Sequence, residues 1–205
     1  MAKELFTEVN NKYEELYGPY HPSSVNSLIN LATVHKDLHE YEASIPLYEK
    51  AIEARKVLEG DNSMNYVMAK AMAAGAYRDI GNYAKSEEYL KDAYIRVAME
   101  FGEENVSCAV ILNSMGLLYK KQAKFERSLD AYKRSLDVRE AQLGEDHPDC
   151  IATRHNIAEL YIQWANPDKA SEYLKRNIEL MEARTEKDKA FREQNPNKLK
   201  ETSYF

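Results

Sequence analysis

An all-α fold, a right-handed superhelical solenoid of helix–turn–helix repeats, is what three features of this sequence predict. Glycine recurs at a fixed step: Gly18, Gly60, Gly102 and Gly144 stand 42 residues apart. Between those stops apolar residues fall at helical spacing, as in Leu28, Leu31 and Ala32 or Ile45, Tyr48, Ala51 and Ile52. Only 7 glycines and 6 prolines occur in 205 residues, too few for an all-β chain with many turns.

The glycines predict four copies of one helix end, because glycine accepts the left-handed backbone of a C-terminal cap at little steric cost. The same step of 42 places small residues at Ala32, Ala74, Gly116 and Ala158, where two helices can approach closely. Ring-bearing residues follow three positions on, at His35, Tyr77, Tyr119 and Tyr161. The series continues through Ser44, Ser86, Ser128 and Ala170 to Tyr48, Leu90, Tyr132 and Leu174, and ends at Ile52, Tyr94, Leu136 and Ile178. Short breaks at Leu38-His39-Glu40, Ile80-Gly81-Asn82, Ala123-Lys124 and Ala165-Asn166-Pro167 divide each copy into a first and a second helix. Pro22 and Pro148 fall where a first helical turn tolerates proline. Such units cannot bury their apolar faces alone, so they stack.

Small residue, ring three later, then small, bulky and small on the second helix resembles the tetratricopeptide repeat. The 42-residue period is similar to the kinesin light chain and nephrocystin branch of that family. Ser44-Ile45-Pro46-Leu47-Tyr48-Glu49-Lys50-Ala51-Ile52 resembles its second helix, and Leu143-Gly144-Glu145-Asp146-His147-Pro148 its linker. Leu28-Ile29-Asn30-Leu31-Ala32 and His155-Asn156-Ile157-Ala158 resemble its asparagine-bearing first helix. The expected organisation is an unpaired capping helix of second-helix type in residues 1–20. Four repeats follow in 21–186 (about 21–60, 63–102, 105–144 and 147–186), and a polar tail in 187–205. The last helix is expected to continue past Glu182 and fray before Pro196.

A net charge of −6 argues against broad binding to nucleic-acid phosphates. No stretch approaches the roughly 20 apolar residues of a membrane-spanning helix, so no membrane insertion is expected. Residues 1–17 lack the apolar core of a secretory signal, and two cysteines make no disulfide framework. A cytoplasmic setting follows, cytoskeletal or ciliary if the resemblance extends that far.

The resemblance implies that the inner faces of the first helices line a concave groove, and register carries positions onto it. Lys36, Arg78 and Lys120 share one position, broken by Ile162; Asp37 and Asp79 offset this basic row and Lys121 reinforces it. The row would steer an acidic or mixed-polarity peptide; the alternative is a solvated helix face. One turn earlier, Asn30, Asn113, Ser114 and Asn156 offer groups that can hold a peptide backbone. Repeat two has Ala71 and Met72 there, with Met68 as a candidate apolar pocket, and His155 completes the candidate surface. The lysine-and-asparagine clamp of chaperone-tail binders is unmatched, since Ile29, Thr33, Ala71 and Gly75 occupy its positions.

Cys108 and Cys150 share a register position, on the order of 10 Å apart, too far for a disulfide. Buried free thiols are the expectation. His35 and His39 stand four apart, a spacing a metal can use, yet no third ligand accompanies them. His35 is expected to take the place of the stacking tyrosine. No phosphate loop, nucleophile elbow or paired-carboxylate pocket emerges, so neither catalysis nor a cofactor is expected. Two readings follow: an adaptor holding an extended protein segment, or a structural subunit of a larger assembly held by its ends or outer surface.

Overall fold

The computed structural model of the chain describes residues 2–194. Within them lie the helices α1 (Ala2–Tyr17), α2 (Pro22–Asp37), α3 (Tyr41–Glu59), α4 (Met64–Asp79), α5 (Tyr83–Phe101), α6 (Val106–Lys121), α7 (Phe125–Leu143), α8 (Pro148–Gln163) and α9 (Pro167–Gln194). No strand occurs among the described residues. The first helices α2, α4, α6 and α8 each span 16 residues, and the second helices α3, α5 and α7 each span 19. Every helix packs on its sequence neighbours, and α4 and α8 also touch α6, so the first helices stand side by side.

Helix starts follow the same period. His21, Ser63, Asn105 and His147 each stand one residue before a first helix, and each side chain accepts a hydrogen bond from a backbone N–H of the first turn. Pro22 and Pro148 sit in that first turn, as expected.

Helix ends correct one expectation. Gly60, Gly102 and Gly144 have φ of 84, 85 and 89° but ψ of 166, 157 and 151°. This is the region that glycine almost alone occupies, not the left-handed helical cap. The positive-φ caps fall instead at the turn inside each repeat, at His39 (φ 61°), Gly81 (80°), Ala123 (56°) and Ala165 (54°). The next residue's N–H closes each turn onto the carbonyl of the ring position, at 2.9 Å for His35, Tyr77 and Tyr119 and 2.8 Å for Tyr161.

The core is a strip rather than a ball. Ala32, Tyr48, Ala74, Leu90, Cys108 and Leu118 belong to one continuous buried cluster, and Tyr132, Leu136, Ile157 and Leu160 continue it toward α9. Val25, Val67 and Ala109, which share one register position, are fully buried. The small residues work as expected at Gly116, where an added Cβ would stand 2.5 Å from the Tyr132 ring. Among the described residues, no helix is long and apolar enough to cross a membrane.

Candidate partner-binding groove

Stacking of the first helices follows a simple offset. Asn156 Nδ2 on α8 donates to Asn113 Oδ1 on α6 at 3.0 Å. Seven residues on along α6 and three on along α8, Lys120 Nζ donates to Glu159 Oε2 at 2.8 Å. Lys36 on α2 makes the matching approach to α4, its Cδ lying 3.8 Å from where a Cβ of Gly75 would be. The basic position of one repeat therefore faces the residue 39 places on in the next: Gly75 for Lys36, Glu159 for Lys120.

That geometry decides what becomes of the basic row. Gly75 offers Lys36 no acid, and Lys36 turns to its neighbour Asp37 at 3.5 Å. Arg78 donates to both carboxylate oxygens of Asp79, at 2.8 and 3.0 Å. Lys120 is largely covered, with its side chain 10% exposed, and its charge is met by Glu159. The Lys120 hydrogen bond holds the Glu159 carboxyl below the ordinary glutamate range, against the opposing effect of burial. Each member of the row thus carries a carboxylate partner; the Asp37 and Asp79 partners were legible as neighbours, whereas Glu159 was not. Lys121 is exposed and has no ion pair among the described residues.

Of the other candidates, Asn30 and His155 are exposed, and Met68, Asn113 and Asn156 are half-buried. His155 also approaches Glu159, at 3.4 Å. Met72 and Val110 add exposed apolar surface on α4 and α6. The Asn113–Asn156 contact leaves the Asn113 amide nitrogen and the Asn156 carbonyl oxygen without a hydrogen-bond partner among the described residues. One donor and one acceptor at a helix seam complement one peptide unit.

Behind this face the ring positions tie repeats together. The Tyr77 and Tyr89 hydroxyls both donate to Glu49 of the preceding second helix, at 2.8 and 3.0 Å. Burial, with the Glu49 carboxylate beside it, pushes the Tyr77 phenol up to about 12. Tyr119 donates to Glu87 at 3.2 Å, and Arg127 stacks over the Tyr119 ring at 4.1 Å while donating to the same carboxylate. His35 takes the ring position in the first repeat, its Nδ1 2.6 Å from Glu40, which Lys3 of α1 also engages. His39 is turned to the Tyr41 hydroxyl at 2.7 Å. The two histidines thus have separate partners, and no group of three or more His, Cys, Asp or Glu able to hold a metal occurs among the described residues. Cys108 and Cys150 are buried and unbridged, their thiols donating to the carbonyls of Gly102 and Gly144. Burial pushes both thiols up.

The tetratricopeptide repeat profile matches residues 1–57, 27–96, 63–141 and 107–183, so nearly the whole helical array is covered. The chain belongs to the tetratricopeptide repeat family. Its fold is the all-α superhelical solenoid expected, and the family's working role is that of a protein–protein interaction scaffold. A kinesin-light-chain candidate of Podospora anserina with nearly identical TPR-like repeats superposes with a TM-score of 0.69, at 18% identity over 91% of this chain and 87% of that one. BtubC (BKLC) from P. vanneervenii gives 0.72 at 20% identity, covering 90% and 73%. Aspartyl phosphate phosphatase F of Bacillus subtilis gives 0.70 at 16% identity, covering 89% and 46%. In sequence, the chain is 29% identical over 92 residues to a clustered mitochondria protein homolog of Debaryomyces hansenii, spanning 45% of this chain and only 7% of that relative.

Proposed function

We propose that this tetratricopeptide chain is a non-catalytic adaptor whose first-helix face holds an extended, mixed-polarity segment of a partner protein. The observation that carries the reading is the Asn113–Asn156 seam, which keeps one donor and one acceptor for a peptide backbone. Exposed Met72 and Val110 supply apolar anchors, and Lys121 supplies one unpaired charge. A uniformly acidic ligand fits less well, because Lys36, Arg78 and Lys120 already have carboxylate partners. Affinity on such a surface comes from many modest contacts along a preorganised scaffold.

The likeness to kinesin-light-chain-type repeats supports a cytoskeletal setting as part of this proposal, and a cytoplasmic one with it. A double variant, Asn113→Ala with Asn156→Ala, should reduce recovery of specific partners from native lysate severalfold while leaving the melting temperature within about 2 °C. Undiminished recovery would sink the groove reading.

A further inference from the structure

The last described helix, α9, presents a face that the inner repeats keep covered. Ile52 and Leu136 are each 7% exposed, and their register equivalent Ile178 is 55% exposed. Val97 is fully buried, whereas Met181 at the same position is 54% exposed. In the inner repeats the next first helix covers these positions. Arg139, equivalent to Met181, donates to the Asp149 carbonyl at 2.9 Å and the Thr153 hydroxyl at 2.7 Å, both on α8. At α9 the same positions line a groove of about 900 Å³ that continues onto Ile151 and Ala152 of α8.

The inner repeats also show which charge the covering helix carries. Arg154 of α8 donates to Glu140 of α7, next to Arg139. The equivalent of Glu140 on α9 is Glu182, exposed and without an ion pair among the described residues. Among the described residues, nothing after α9 turns back over this face as its predecessors do. Where α3, α5 and α7 stop at glycine, α9 has Glu186 and runs on to Gln194. It therefore extends nine residues, about 14 Å, past the point where the inner repeats reverse.

From this we infer that the α9 face is a docking site for one amphipathic helix of a partner protein, seated on α9 as α8 sits on α7. Its buried face is apolar, packing on Leu174, Ile178 and Met181, and its flank carries a basic residue opposite Glu182. The groove borders the α6–α8 seam of the adaptor reading at His155 and Asn156, but its apolar floor lies on α9, so Ile178→Glu tests it apart from the Asn113→Ala, Asn156→Ala pair.

The helix α8 is itself a probe of the stated chemistry. A fluorescein-labelled peptide copying residues 147–163 is titrated with the full chain, and its anisotropy followed. Saturable binding is expected, weakened at least about tenfold by Ile178→Glu. Glu182→Lys should weaken it severalfold, and the peptide variant Arg154→Glu should restore binding to that mutant alone. No saturable binding, or binding indifferent to Ile178→Glu, overturns the inference. So does a chain that sediments as a dimer and is split by Ile178→Glu, since a second copy then covers the face. Binding that appears only after removal of residues 195–205 overturns it too, making the chain's own end the occupant.

Discussion

Ala123 and Gly116 each test whether backbone and packing, rather than composition, set residue choice in this array. Ala123 holds a φ of 56° at a turn cap where the second repeat has Gly81. A Cβ in that conformation costs about 1–2 kcal/mol, and glycine loses about 0.5–1 kcal/mol through backbone entropy. Ala123→Gly is therefore expected to stabilise the chain by up to about 1 kcal/mol, read as a raised midpoint in urea; a lowered midpoint would show that the turn is not strained. Gly116 stands opposite the buried Tyr132 ring, 2.5 Å from where a Cβ would lie. Gly116→Ala should cost about 1–3 kcal/mol even though alanine occupies the same position in the other three repeats. Equal stability would mean that the ring moves freely.

These two residues also mark where the sequence is and is not readable. The small-residue register at Gly116 is plain from spacing. The turn cap is not, because His39, Gly81, Ala123 and Ala165 share a conformation and not a residue type. The linker glycines gave the period correctly and the conformation wrongly, since a one-letter pattern fixes positive φ but says nothing of ψ.

Among elements, the side-by-side first helices convert sequence neighbours into cross-repeat partners. The candidate row Lys36, Arg78 and Lys120 is legible from the period, but its neutralisation by Glu159 depends on the 39-residue offset of packed helices. Spacing within one helix cannot reveal that. The pair has a pH signature. Glu159 titrates below the ordinary value of 4.5 in the folded chain, so its contribution is present above that value. It is lost as pH falls from about 4.5 through the lowered folded value. Comparison of Glu159→Gln with the parent should show the difference in melting temperature shrinking across that window. A difference that stays constant there would mean Lys120 and Glu159 do not pair in solution.

Over the whole molecule, the strip-like core makes each repeat depend on its neighbours, so stability is a sum of local interfaces. The helical solenoid and the family were legible because one packing solution recurs along the chain. The geometry of the candidate groove was legible only in outline: register places Asn113 and Asn156 on the first helices, but their mutual hydrogen bond required the neighbouring helix.

Photo-crosslinking on the two faces of the solenoid tests the adaptor reading most directly. Benzoylphenylalanine is placed at Met72, exposed on the first helix α4, and separately at Ile95, exposed on the second helix α5. Irradiation in native lysate should give discrete partner adducts from position 72 and not from 95, and the Asn113→Ala, Asn156→Ala background should diminish them. Adducts confined to position 95 would place the working surface on the second helices and contradict the groove.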